Sequence, residues 1–198
     1  MRELSLHILD IAENGITAGA DCIQILINEA RGNEDLLTIV IEDNGRGMPA
    51  DKLQKPTDPF ITTRTTRRVG LGLSLLAAAA DRCEGKLEIE TESGRGTRVE
   101  ATFRYSHIDR APVGDMASTI TTLIMGNPQV DFVYTHMVDT RDFILDTRDL
   151  KEGTQDQSLT DPVLIFHLTQ SIRDSLNELA GGNGISEVTE ENHGKIDD

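Results

Sequence analysis

The side chains of this sequence that can do chemistry fall in four short segments. The first is Asp10-Ile11-Ala12-Glu13-Asn14. Asp10 and Asn14 stand four apart, so on a helix they share a face, while Glu13 is turned about 100° from Asn14. A carboxylate and an amide stacked in this way can hold a hydrated Mg2+ ion, which prefers oxygen ligands and keeps several waters. The second is Asp43-Asn44-Gly45-Arg46-Gly47-Met48. An aspartate at the end of a buried strand can accept a hydrogen bond from an exocyclic amine, and Gly45 and Gly47 let the backbone pass close to a flat ligand. The third is Gly70-Leu71-Gly72-Leu73, opening an alanine-rich stretch. Free N–H groups and the helix dipole make such a start an anion site. Just before it, Thr62-Thr63-Arg64-Thr65-Thr66-Arg67-Arg68 is basic and rich in hydroxyls, and can close over a polyphosphate as a lid. The fourth is Gly94-Arg95-Gly96-Thr97. Taken singly, each has a plain reading too: the polar edge of an amphipathic helix, an Asx turn, a glycine turn beside a solvated loop, and a hairpin without a ligand.

The elements that must carry these segments follow from periodicity. Apolar residues at Leu4, Ile8, Ile11, Ala12 and Ile16 form a helical stripe from Leu4 to Ala18, stopped by Gly19. Residues 22–27 and 37–42 alternate and are β-branched, so they read as strands joined around Gly32-Asn33. Residues 45–70 read mostly as loop, and Leu71 to Arg82 as helix. A second hairpin is expected from residues 86–91 and 97–103. Beyond Asp109-Arg110-Ala111-Pro112, the pattern is a helix from Asp115 to Met125, strands at 130–134 and 142–146 around Asp139-Thr140, and a helix from Pro162 stopped by Gly181-Gly182.

Composition limits the function. The 198 residues include 19 Lys plus Arg against 34 Asp plus Glu, a net charge of −15, which argues against nucleic acid or an anionic membrane as partner. No apolar run is long enough to span a bilayer, and Cys22 and Cys83 lack metal or disulfide spacing, so a reducing cytoplasm is the expected location. The charge divides unevenly, −4 over residues 1–106 and −11 over residues 107–198. The expected organisation is a core of residues 1–106, an α/β appendage of residues 107–180 with a possible role in docking a partner, and a disordered acidic tail of residues 181–198.

An asparagine on the first helix followed in order by DNGRGM, PFITTR, GLGL and GRGT resembles the ATP-binding domain of the gyrase, heat-shock chaperone, histidine kinase and MutL (GHKL) superfamily. Residues 13–20 are similar to the MutL form of the first motif, and Pro59 to Arg64 to the histidine-kinase form of the lid. The resemblance covers residues 4–104. It implies an α+β, two-layer α/β sandwich of the Bergerat type, here with a helix-hairpin-helix appendage, binding ATP or ADP with Mg2+. Asn14 would be the metal ligand and Asp43 the acceptor for the adenine amine. Gly45, Gly47 and Thr97 would line the base pocket. Gly70, Leu71 and Gly72 would hold phosphate, with Thr62 and Thr63 in the lid and Arg64 reaching the γ-phosphate.

Asp10 stands where hydrolysing branches and anti-sigma kinases carry a carboxylate as general base, usually a glutamate. A base one methylene short, displaced by about 1 Å, can lose on the order of 10²-fold in rate, so slow turnover is expected. The chain starts at the asparagine helix, and none of its five histidines heads a long helical stretch; His7 is expected to be a packed or surface residue. The reading is a histidine-kinase-like or anti-sigma-like ATPase module lacking a phospho-acceptor histidine domain, which regulates or phosphorylates a protein. The alternative is a nucleotide-dependent, non-catalytic subunit of a larger complex. The partner classes implied are an anti-sigma-like target, a response regulator, or a hydrogenase or ferredoxin-type redox complex, and a homodimer stays open.

Overall fold

The computed structural model describes residues 3–47, 71–153 and 159–181. Among these residues eleven elements run α1 (Leu4–Thr17), β1 (Cys22–Ala30), β2 (Leu36–Asp43), α2 (Leu71–Arg82), β3 (Lys86–Glu92), β4 (Gly96–Arg104), α3 (Met116–Gly126), β5 (Asp131–Val138), β6 (Arg141–Asp146), α4 (Thr147–Gly153) and α5 (Pro162–Gly181). The six strands form one sheet in the order β3-β4-β2-β1-β5-β6.

Alternation decides which face of the sheet is covered. Ile23, Ile25 and Ile27 of β1, Leu37, Ile39 and Ile41 of β2, and Val99, Ala101 and Phe103 of β4 are all buried, while their even-numbered neighbours are not. The helices lie on this apolar face. Helix α1 contributes Leu4, Ile8, Ile11 and Ala12, α2 contributes Leu76 and Ala80, and α3 contributes Ile120, Leu123 and Ile124 to the same core. Each such large aliphatic side chain stabilises the fold by about 1.5–3 kcal/mol when fully buried. The result is the two-layer α/β sandwich anticipated from the motifs.

Residues beyond 106 continue this architecture. Strand β5 pairs with β1 in parallel, Cys22 opposite Asp131 through Glu29 opposite Val138, and β6 follows by an antiparallel hairpin. Phe132 and Tyr134 sit in the common core with Ile23 and Ile25. The segment after Asp109 is tied to α1, whose Leu4 and Ser5 N–H groups donate to the Pro112 and Val113 carbonyls. The charge step near Asp109 therefore marks a change of surface within one sheet and one core. The helix at Asp115 begins as read, with Asp115 as N-cap accepting from the Ser118 N–H. Helix α4 has no counterpart in the sequence reading. Its Thr147 is fully buried because its hydroxyl accepts the Phe132 N–H at 2.8 Å. Part of the expected tail, residues 182–198, lies outside the described residues.

Candidate functional site

The ends of four elements meet at one corner of the sandwich. Asp10 and Asn14 are half-buried on the same side of α1, and Glu13 is exposed, which separates the two carboxylates as their helical positions require. The Asp10 carboxylate lies against the first turn of α2. A Cβ built on Gly72 would stand 1.8 Å from Asp10 Oδ2, so a larger residue there would have to turn the Asp10 carboxylate aside. The α1 carboxylate and the start of α2 thus share one site.

Asp43 closes β2 directly beneath α1. A Cβ on Gly15 would come within 2.7 Å of Asp43 Cβ and 2.8 Å of Ile23 Cδ1, so helix and sheet approach more closely here than a side chain would allow. Burial pushes the Asp43 carboxyl up from its ordinary value, while the Gly45 and Thr97 N–H groups pull it back down. The Gly45 bond to Oδ1 is 2.9 Å. The loop after β2 is fastened by Asn44, whose Oδ1 accepts from the Asp21 and Cys22 N–H groups at 3.0 Å each and whose Nδ2 donates to Asp21 at 2.6 Å. Arg46 continues the tether, donating to the Ala18 carbonyl and accepting from the Gly94 N–H. Gly47, with φ of 61°, lies against the Glu92 carbonyl.

Register completes the base of the site. Thr97 on β4 stands opposite Asp43 on β2 and opposite Thr91 on β3. All three share the parity of Ile41, Val99 and Ile89 and face the helix layer. The Thr91 hydroxyl donates to the Gly96 carbonyl at 2.9 Å and lies 3.1 Å from the Thr97 hydroxyl. Gly96 has φ of 104° and its Cα faces the Asp43 carbonyl, a conformation and a closeness that exclude other residues.

His7 is packed, as expected, on the same stretch of α1. Burial lowers its pKa, opposed by the Gly72 backbone and Asp10, so at neutral pH it is uncharged. Among the described residues its Nδ1 has no hydrogen-bond partner.

Of the residues singled out in sequence, Asp10, Asn14, Asp43, Gly72 and Thr97 are in described elements and Gly45 and Gly47 in the described loop after β2, and the contacts above join Asp10 to Gly72 and Asp43 to Gly45 and Thr97. Thr62, Thr63, Arg64 and Gly70 lie outside the described residues, as does the side chain of Leu71. Thr91 and the tethering role of Asn44 were not read from the sequence. The hairpin register around Gly94 would have pointed to Thr91, since it places that residue opposite Thr97. No group of three or more His, Cys, Asp or Glu able to hold a metal occurs among the described residues. The half-buried pair Asp10 and Asn14 nevertheless suits Mg2+, because one or two protein oxygens and a shell of water satisfy that ion.

A strand-end carboxylate, a glycine-bearing helix start and a polar pair on the facing helix are the parts of a nucleotide-binding α+β domain. Residues 2–107 match the family described as "Histidine kinase-, DNA gyrase B-, and HSP90-like ATPase", and the chain belongs to that family. It is 32% identical to "Sporulation kinase E" of Bacillus subtilis (strain 168) over 51% of this chain and 14% of that protein. It is 27% identical to a "Putative sensor protein" of Shewanella frigidimarina (strain NCIMB 400) over 54% of this chain and 17% of that protein. The match thus spans about a sixth of the length of these relatives. Among solved structures, an N-terminal domain of a DNA repair protein superposes with a TM-score of 0.54 at 17% identity, covering 74% of this chain and 53% of that one, which supports the fold alone. No helix among the described residues is long and apolar enough to cross a membrane.

Proposed function

We propose that the chain binds Mg-ATP, and its product ADP, at the corner between α1, α2 and the β2–β4 ends, and acts as a kinase-like ATPase module on a protein partner. The observation that carries this reading is the meeting of Asp10 with Gly72 at the start of α2, on the same helix whose Gly15 rests on Asp43. One end of that corner suits a base and the other a phosphate.

Asp43 would accept the exocyclic amine of adenine, with Gly45, Gly47 and Thr97 around the base. Asn14 would hold Mg2+ through its amide oxygen, with water filling the remaining positions; the ion would neutralise phosphate charge. The start of α2 would take phosphate on its N–H groups, aided by Gly70 and Leu71, and Thr62, Thr63 and Arg64 would complete the polyphosphate side. Asp10 would orient a water or a partner hydroxyl toward the γ-phosphate and accept its proton. The relatives named as kinases lend weight to phosphoryl transfer to a protein, and the acidic residues 107–180 would form the docking surface for that partner.

A second reading, nucleotide-controlled binding with little turnover, is favoured by the short reach of Asp10 and its position against Gly72. One set of measurements separates them. Asn14→Ala should weaken Mg-ATP binding at least ten-fold by calorimetry. Asp10→Asn should retain binding and abolish both phosphate release and label transfer from γ-labelled ATP to added partner proteins. Unchanged ATP affinity in Asn14→Ala would remove the metal assignment, and equal turnover in Asp10→Asn would remove the base.

A further inference from the structure

Three of the large apolar side chains exposed among the described residues gather where α3 ends and α5 begins. The two helices run antiparallel: Arg173 of α5 donates to Asp115 at the start of α3, and Thr169 to Thr121 in its middle. One turn further on, this register brings Met125 level with the first turns of α5. Met125 is 48% exposed there, Val163 65% and Phe166 59%. Val163 and Phe166 stand three apart on one side of α5, while Ile165, Leu168 and Ile172 are turned to the core. Further along the same outward side, α5 carries the exposed polar residues Asp174 and Asn177. Apolar exposure is thus confined to the beginning of the helix, next to the end of α3, where a solvent-facing side would be polar.

The charges at this end are of one sign. Lys151 of α4 donates to the Val130 carbonyl in the turn that follows α3, and the Asp131 N–H donates to the Asp21 carbonyl, so α4 and Asp21 lie at the same end. Both cations of α4 are taken, Lys151 by Asp131 and Arg148 by Asp146. Asp21, Asp149 and Glu152 are exposed and have no ion-pair partner among the described residues. The C-terminus of α3 adds the negative end of its dipole. A second copy would set this acidic rim against itself, whereas a partner with basic residues complements it.

We propose that the α3–α5 end is a docking site for an amphipathic helix of a protein partner, whose aliphatic or aromatic anchors cover Met125, Val163 and Phe166 and whose flanking Lys or Arg residues meet the acidic rim. This deepens, and rests on, the reading of residues 107–180 as the part that docks a partner. Strand register puts the site at the same end of the sheet as Asp43, since Ile23 pairs with both Asp43 and Phe132. A partner held there is held at the nucleotide end of the molecule.

The test titrates the full chain with three labelled peptides of about 18 residues, long enough for a full amphipathic stripe. One has Leu at i, i+3, i+4 and i+7 spacing with Lys elsewhere, one has Glu in place of Lys, and one has Ser in place of Leu. The Leu/Lys peptide should bind saturably, and the other two about ten-fold more weakly or less. Phe166→Ser and Val163→Ser should each weaken the Leu/Lys peptide about ten-fold. Ile108→Ser, which removes an apolar group exposed elsewhere, should leave it unchanged. All three variants should keep the wild-type affinity for Mg-ATP. Wild-type peptide affinity in Phe166→Ser overturns this surface, and an equal loss in Ile108→Ser does the same. A Ser/Lys peptide that binds as tightly as Leu/Lys shows charge alone and overturns it. So does self-association, measured by sedimentation, that Phe166→Ser abolishes, because the face would then join two copies. Failure of the wild type to bind the Leu/Lys peptide overturns the docking site alone; failure to bind Mg-ATP removes the nucleotide reading alone.

Discussion

At the scale of single residues, two glycines that look alike in the sequence have opposite expected costs. At Gly15 an added methyl meets Asp43 Cβ and Ile23 Cδ1, atoms anchored in the sheet. Replacing a mid-helix glycine by alanine gains about 1 kcal/mol of helix propensity, but overpacking of this kind costs about 1–3 kcal/mol. Gly15→Ala should therefore lower the denaturant midpoint and, by pushing α1 away from Asp43, weaken nucleotide binding. At Gly72 the methyl meets the far end of the Asp10 side chain, which can rotate. Gly72→Ala should unfold at nearly the wild-type midpoint yet lose turnover, as Asp10 is displaced. Equal stability losses in the two variants would contradict this distinction.

Among the elements, β1, β5 and α5 are joined by a buried polar relay remote from the corner where Asp10 meets Gly72. The Tyr134 hydroxyl lies 2.7 Å from His136 Nδ1, and His136 Nε2 lies 2.9 Å from Glu29 Oε1. Arg31 donates to Glu29 Oε2 and to the Ala180 carbonyl, tying the relay to the last turn of α5. Burial alone would raise the Glu29 pKa, but its bonds to His136 and Arg31 outweigh this and hold it at about 2. A carboxyl depressed on folding stabilises the protein fully above the ordinary glutamate range, and that contribution is lost as pH falls toward about 2. Thermal midpoints measured downward from pH 6 should fall more steeply in the wild type than in Glu29→Gln, which should already be weaker at pH 6 by about 1–3 kcal/mol. Parallel acid limbs would show that Glu29 is not the group responsible.

Across the whole molecule, the parallel β1–β5 pairing and the shared core make residues on either side of Asp109 interdependent. Ile23→Ala and Phe132→Ala should each cost about 2–5 kcal/mol and shift a single unfolding transition. A transition that divides into two, one per variant, would contradict a common core. Much of the site was legible before the fold was known. Asp10, Asn14, Asp43 and Gly72 stand in local motifs, where a helix turn or a strand end fixes their placement within a few residues; the roles proposed for them rest on those motifs. Thr91 was legible only through the hairpin register around Gly94, which sets it opposite Thr97; taken alone, a threonine in an alternating strand resembles any other. The continuity of residues 107–180 with the sheet was also hidden. Hairpins announce themselves through turn residues, whereas a parallel pair between β1 and β5 joins segments about a hundred residues apart with no signal in either.

The sequence by itself determined every described element except α4, their polarity and the order of the glycine-bearing motifs, since 3.6-residue and two-residue periods and glycine placement are local properties. Only the tertiary structure decided that Asp10 lies against Gly72, that Thr91 completes the row of Thr97 and Asp43, and that the acidic second half shares the first half's core. Those facts depend on strand register and interlayer distance, which arise when the whole chain packs.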